Sequence, residues 1–196
     1  MRLLPVFSLL CLCLPTLQAQ AMEIDFAKCA SGVDIETIRV LAQEVSGMEP
    51  YAVTPFGGET LPYANPIDAT ATLQDPNNKP QIGWLVGLMQ IHSKTIEKEG
   101  LRLEEALDPC TNVRIAAKEL KACMQTKRVA QADNKLKPLL RCFFSTRMTK
   151  DDMPERIQSV VDRVKPTVPA LSSLMKPATE EPLVFSVPKT ERQLIF

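Results

Sequence analysis

The feature that most constrains the fold is an apolar periodicity of the α-helical kind, which recurs along the middle of the chain. In the first such segment, Asp34 is suited to cap a helix and Gly47 to end it. Between them, apolar residues fall at positions i, i+3, i+7 and i+10, namely Ile35, Ile38, Ala42 and Val45. The pattern predicts a helix whose buried stripe is completed by Val45.

Further helices are predicted by the same spacing at 93–99, 103–107, 111–125, around 136–143 and from 151 to 164. By contrast, residues 49–87 hold six prolines, which leave room only for turns and a short hairpin. A loop of that length in a compact domain is usually functional. With at least five helices and little strand, the predicted fold class is mainly α.

The N-terminus has the pattern of a secretory signal peptide. Arg2 precedes an apolar run over 3–14, and a small-residue exit ends at Ala21. We therefore predict cleavage after Ala21 and a periplasmic mature protein. The run is shorter than the roughly 20 residues of a membrane span, so no stable membrane insertion is expected. Lipid attachment at Cys11 or Cys13 is the less favoured alternative, because the small residues of a lipoprotein box precede neither.

Composition and charge are those of an ordinary soluble domain with appendages. The chain is 45% hydrophobic and 23% charged, which suits one core. Its 23 basic and 23 acidic residues cancel, so nothing in the charge points to nucleic acid as a partner.

Four cysteines remain beyond the predicted signal peptide: Cys29, Cys110, Cys123 and Cys142. In an oxidising compartment, an even number predicts disulfides, with three possible pairings. A zinc site is the alternative, but there is no Cys-x-x-Cys and His92 is the only histidine. Neither a metal nor a cofactor is predicted.

Residues 166–196 carry five prolines, no glycine and no periodic apolar face. They are predicted to be an extended, disordered tail. With 1–21 as signal peptide, one folded domain remains at 22–165. The tail is either a solvated appendage or presents Phe185 or residues 194–196 to a partner.

Three segments carry a resemblance to a known family. They are 42–53, containing Val45-Ser46-Gly47; 87–93, beginning Gly87-Leu88-Met89-Gln90; and 107–112, containing Leu107-Asp108-Pro109. In this order they resemble soluble lytic transglycosylases, above all the peptidoglycan-cleaving subunits of type IV secretion and conjugation systems. The resemblance covers about residues 26–165 and implies a lysozyme-like domain with a glycan cleft. Cysteines of relatives imply the pairs Cys29–Cys110 and Cys123–Cys142.

The resemblance implies a mechanism with one glutamate. In the family it protonates the glycosidic oxygen, then takes a proton from the muramic acid's own hydroxyl and closes an anhydro ring. Here the family's Glu-Ser-Gly reads Val45-Ser46-Gly47, and valine carries no titratable group. Glu44 is adjacent, but helix neighbours project about 100° apart, so its carboxylate is expected to leave the cleft. A shifted helix end that makes Glu44 the catalytic acid is the alternative.

A second departure concerns a tyrosine. Relatives carry it near the cleft, often just after the last cysteine, where its hydroxyl assists the reacting sugar. In this chain Phe143 follows Cys142 and stands in that place. Two losses at reacting positions predict a degenerate active site.

The resemblance leaves substrate-binding residues in place, namely Ser46, Gly87, Leu88, Met89 and Gln90. Gly87 would let backbone approach a ligand closely, and the Gln90 amide would bond acetamido or hydroxyl groups. The alternative is that Met89 faces the core and Gln90 caps a turn.

Two further aromatic side chains lie near this segment. Trp84 suits stacking on a sugar and burial as an anchor equally well. His92 stands where relatives often have asparagine, and an unperturbed pKa of about 6.5 suits acid–base work. Without an identified carboxylate partner, His92 is expected to be a polar wall residue.

These observations favour a binding or assembly protein that engages peptidoglycan strands in a type IV secretion or conjugation system without cleaving them. The alternative is an active lytic transglycosylase that uses Glu44 or, less favourably, Glu49 or Glu59. In a third hypothesis, residues 49–87 fill the cleft and the tail binds envelope proteins of the secretion system.

Overall fold

The computed structural model describes residues 24–164, which form nine helices and three short strands. The helices are α1 (Phe26–Cys29), α2 (Ile35–Ser46), α3 (Pro66–Gln74), α4 (Ser93–Lys98), α5 (Leu103–Leu107), α6 (Pro109–Met124), α7 (Lys127–Ala130), α8 (Leu136–Phe144) and α9 (Met153–Val164). The strands are β1 (Val53–Pro55), β2 (Trp84–Val86) and β3 (Ile91–His92). The predicted mainly α fold class is confirmed. The predicted signal peptide and tail lie outside the described residues and stay predictions.

Helix α2 starts and ends where its residues predict. The Asp34 carboxylate accepts a hydrogen bond from the backbone N–H of Thr37 at 2.8 Å, satisfying a free donor of the first turn. At the other end, Gly47 is left-handed with φ 68°, a conformation that costs glycine little. The last turn of α2 therefore carries Glu44 and Val45.

Helix α6 lies at the centre of the domain, and two disulfides fasten other helices to it. Cys29–Cys110 joins α1 to the first turn of α6, and Cys123–Cys142 joins α8 to its last turn. Both pairs are those that the family resemblance implies. Their sequence separations are 81 and 19 residues, so the first bridge restricts the unfolded chain more strongly.

The sheet is antiparallel, in the order β1-β2-β3. Val53 of β1 pairs with Val86, and Leu85 of β2 pairs with His92. All three residues of β2 are buried. The connection from β2 to β3 consists of residues 87–90, the second segment of the family resemblance, so this turn is fixed at both ends by the sheet.

The segment 49–87 contains more regular structure than its prolines suggest, and the prediction of turns and a hairpin alone is wrong. Helix α3 lies within it, with a proline in the first turn and Asn65 accepting two backbone N–H bonds at 3.0 Å. Only Ala69 and Leu73 of this helix are buried, so its apolar periodicity is weak. The short helix α7 is likewise absent from the sequence prediction.

Helix α9 packs against α2 and α8. Its buried residues are those that the periodicity predicts: Ile157, Val160, Val161 and Val164. Burial of each such apolar side chain contributes about 1.5 to 3 kcal/mol at most. Within residues 24–164, no helix is long and apolar enough to cross a membrane.

Candidate functional site

A cleft of about 150 Å³ lies between the last turn of α2, the sheet and the segment that joins α8 to α9. Val45 and Glu44 border it from α2, Thr54 and Gln90 from the sheet side, and Arg147 from the far wall. The segment 57–60 also contributes to the lining. Part of the region 49–87 therefore builds a wall of this cleft.

The side chains of Val45 and Glu44 project in different directions from the last turn of α2. Val45 is half-buried and lines the cleft, whereas Glu44 is the buried residue, with a side chain only 5% exposed. Val45 also packs against the core, so it completes the predicted buried stripe only in part. Helix α9 crosses the last turn of α2 and covers the side on which Glu44 projects.

The Glu44 carboxylate is held by three side chains of α9. Arg156 Nη1 donates to Oε1 at 3.0 Å and also reaches the Glu44 backbone carbonyl at 3.3 Å. Ser159 Oγ donates to Oε2 at 2.9 Å, and Arg163 pairs with the same oxygen. Two cations and a hydroxyl donor therefore engage both carboxylate oxygens and hold the side chain against α9.

The turn 87–90 is built largely from buried groups. Leu88 and Met89 are fully buried, so their side chains contact the core. Gln90 has a positive φ of 50°, and its Nε2 donates to the carbonyls of Ala52 and Gly87 at 3.2 and 2.9 Å. The Gln90 amide thus stabilises the turn and borders the cleft at the same time.

Asn112 is a structural residue that the sequence reasoning quoted in a motif but gave no role. It is fully buried; its Oδ1 accepts from Met89 N at 2.7 Å, and its Nδ2 donates to the carbonyls of Val86 and Ala106. A Cβ at Gly87 would lie 2.4 Å from Asn112 Nδ2. The absence of a side chain at Gly87 therefore lets its backbone lie against the Asn112 amide, not against a ligand.

Arg147 is a second residue that the sequence reasoning missed. Its side chain is 1% exposed, its Nε donates to the Met89 carbonyl at 3.0 Å, and its Nη1 donates to the Phe143 carbonyl at 2.9 Å. Burial lowers the pKa of the Arg147 guanidinium, and the paired Glu119 carboxylate opposes that shift. No sequence spacing signals this pair, because Glu119 lies on α6 and Arg147 lies in the segment that follows α8.

Phe143 lies directly beneath Arg147, whose guanidinium carbon is 3.7 Å from the ring centroid. The phenylalanine is 1% exposed and packs at the edge of Phe144. It does not line the cleft. The aromatic ring at this position therefore supports a buried cation, and no hydroxyl projects from it towards a ligand.

Other predicted residues take structural positions. Ser46 is buried and its Oγ donates to the Ala42 carbonyl at 3.0 Å. Trp84 is 7% exposed, in agreement with the anchor interpretation. Glu49 and Glu59 are exposed and do not border the cleft.

His92 caps helix α4, with its Nδ1 accepting from Lys94 N at 3.1 Å. Burial lowers the pKa of the imidazole below its ordinary value, and the nearby charges of Lys94 and Arg147 lower it further. Across residues 24–164, no three His, Cys, Asp or Glu side chains are grouped so as to hold a metal ion.

Comparison of the sequence with known protein families agrees with this fold and cleft. The family described as the transglycosylase SLT domain matches residues 22–133, which is more than half of the chain. The chain therefore belongs to the transglycosylase SLT domain family.

Among curated proteins, the chain is similar to "Type IV secretion system protein virB1" of Brucella abortus biovar 1 (strain 9-941), at 25% identity over 142 residues. That match covers 68% of this chain and 60% of the relative, and the protein of the same name from Brucella suis biovar 1 (strain 1330) matches equally. "Protein virB1" of Agrobacterium fabrum is 38% identical over 95 residues, covering 47% of this chain and 38% of the relative. The chain thus spans about 60% of the length of the Brucella relatives. No solved structure matches it.

Proposed function

We propose that this protein is a periplasmic component of a type IV secretion or conjugation system that binds peptidoglycan strands through a degenerate transglycosylase cleft. One observation carries the proposal: Val45 borders the cleft, while the neighbouring Glu44 is held by α9. The family resemblance assigns the catalytic glutamate to the position of Val45. Family membership and the likeness to proteins named for type IV secretion support the substrate and the context.

Cleavage by the family's mechanism requires a proton donor over the glycosidic oxygen. General acid and base catalysis contributes typically about 100- to 10,000-fold in rate. The valine side chain has no proton to donate, and the Glu44 carboxylate is engaged by two guanidinium groups. Phe143 carries no hydroxyl, and its ring lies under Arg147 outside the cleft. The chemistry is therefore lost while the cleft persists.

Groups that suit sugar binding remain around the cleft. Gln90 commits its Nε2 to two backbone carbonyls, which leaves its Oε1 as an acceptor for a hydroxyl or an acetamido N–H. Thr54 and the half-buried Thr149 border the same space. Their hydroxyls donate to Thr60 and Asp152 and keep lone pairs that can accept from a sugar hydroxyl. These groups are held by the sheet and the α8–α9 segment, so they are already in place before a ligand arrives.

The second candidate function is an active transglycosylase that uses Glu44. One observation favours keeping it: Glu44 borders the cleft beside Val45, and its partners Arg156 and Arg163 are 53% and 39% exposed. A glycan that displaced these arginines would free the carboxylate. This candidate predicts that Glu44→Gln abolishes cleavage.

The test uses the mature, oxidised protein and purified sacculi. Co-sedimentation measures binding, and mass spectrometry of the soluble products detects anhydromuropeptides. We expect saturable binding and no such products. Thr149→Trp should weaken binding about tenfold by filling the cleft, whereas Ala122→Trp, at an exposed site outside the cleft, should leave it unchanged.

Two outcomes would overturn the proposal. Equal binding by the two tryptophan variants would show that the cleft is not the glycan site. Anhydromuropeptides that appear with the wild-type protein and disappear in Glu44→Gln would establish the second candidate instead.

A further inference from the structure

A second and larger groove lies between α7, α8 and α9. Its volume is about 550 Å³, and it shares no lining residue with the cleft. Apolar side chains form most of it, among them Val129, Pro138, Met153 and Ile157. The glycan-binding proposal assigns no role to this groove, and the inference below does not depend on that proposal.

The rim of this groove is positively charged. Arg128, Arg141 and Lys150 line it, and no carboxylate does. Within residues 24–164, none of these three side chains has an ion-pair partner. An apolar floor with an unpaired basic rim fits a short segment that combines acidic residues with adjacent apolar ones.

We propose that the groove binds residues 180–185 of this same chain. They read Glu180-Glu181-Pro182-Leu183-Val184-Phe185, two adjacent carboxylates followed by apolar side chains. The carboxylates would face Arg128 and Arg141, while Leu183 and Phe185 cover the apolar floor. Among residues 166–196 this is the only pair of adjacent acidic residues, so the charge match selects one segment.

The connection is long enough for such binding within one chain. Helix α9 begins at the groove, where Met153 and Ile157 line it, and ends at Val164. Residues 165–179 follow and span up to about 50 Å when extended. A tether of this length gives an effective concentration of about 1 mM, so even weak contacts would be substantially occupied. Proline at 182 favours an extended backbone just before it.

The test places the photo-reactive residue benzoylphenylalanine at Phe185 of the full mature chain and maps its cross-links by mass spectrometry. The matched control carries the probe at Phe196, another phenylalanine of the same tail. We expect the probe at 185 to cross-link to residues 127–157 with about tenfold higher yield than the probe at 196. Mixing isotopically labelled and unlabelled chains separates links within one chain from links between two.

Charge swapping tests the basic rim. Arg128→Glu with Arg141→Glu should lower the cross-link yield about tenfold, because two exposed pairs are lost and replaced by repulsion. Glu180→Arg with Glu181→Arg should lower it equally, and that variant leaves the described domain unaltered. Combining all four substitutions should restore the yield.

Each contrary result overturns the proposal. These are equal yields at 185 and 196, links formed only between two chains, links to residues away from the groove, or yields insensitive to both charge reversals. If the double arginine variant fails to fold, the variant with Glu180→Arg and Glu181→Arg still tests the proposal, because it alone must lose the cross-link.

Discussion

Two arginine–carboxylate pairs flank the cleft, and they are built in opposite ways. In the pair of Arg147 and Glu119, the arginine is 1% exposed and the carboxylate 20%. In the pair of Glu44 and Arg156, the carboxylate is 5% exposed and the arginine 53%. One pair buries its base and the other buries its acid.

The difference shows what each pair does. Arg147 also donates to the Met89 and Phe143 carbonyls, so it joins the turn beside the cleft to α8, and its side chain is shielded from solvent. Glu44 instead receives partners that reach in from the solvated side of α9. The first pair is part of the core, and the second fastens one helix onto another. Neither pair offers an unpaired carboxyl group to the cleft.

The largest expected effect follows from breaking the buried base. Arg147→Met leaves Glu119 without its partner and removes donors from two backbone carbonyls. We expect a loss of about 3 to 5 kcal/mol in the free energy of unfolding, measured by urea denaturation. The matched variant Arg156→Met, at the half-exposed partner of Glu44, should cost about 1 kcal/mol or less. Equal losses of unfolding free energy in the two variants would contradict the distinction between a buried and a half-exposed arginine.

A smaller effect is expected from Glu44→Gln. The glutamine still accepts and donates hydrogen bonds, while Arg156 and Arg163 can turn to water, so the cost should be about 1 to 2 kcal/mol. The control is Glu36→Gln on the same helix, whose exposed pair with Arg39 contributes about 0.5 kcal/mol or less. Thermal unfolding in parallel samples measures both. A Glu44→Gln protein as stable as the control would show that the carboxylate does not fasten α9.

The smallest effect concerns pH and the cap of α4. Folding lowers the pKa of His92, because burial disfavours the charged imidazole. The neutral ring therefore contributes its full stability above the pKa of the unfolded chain. That contribution is lost as the pH falls through the pKa of the folded protein. His92→Asn keeps an acceptor for Lys94 N and removes the titration. Between about pH 7 and about pH 5, the wild type should therefore lose more stability than the variant. Parallel curves of stability against pH for the wild type and His92→Asn would show that burial of His92 does not contribute to the pH dependence.

Periodicity in the sequence was enough to predict helices whose apolar faces are complete. The bounds of α2 follow from Asp34 and Gly47, and the buried face of α9 follows from its isoleucine and valines. Helix α3 has no comparable face, since it is mostly exposed, and its cap at Asn65 lies among prolines that suggest turns.

The candidate site was harder to predict, because contacts between distant segments define it. The Glu44 carboxylate is paired with arginines 112 and 119 residues later in the chain, and no local pattern encodes these pairs. Asn112 lay in a recognised motif, but its three bonds depend on the packing of α6 against the sheet. The family resemblance located Val45, while only the structure shows that its side chain borders the cleft.

The most direct test places a carboxyl group at position 45, where the family resemblance expects the catalytic glutamate. Wild-type protein and Val45→Glu are incubated with purified sacculi at equal concentration, and soluble anhydromuropeptides are quantified by mass spectrometry. The account predicts no release above the protein-free blank for the wild type and measurable release for Val45→Glu. Release by the wild type at or above the level of the variant would contradict it, because the chemistry would then come from another residue.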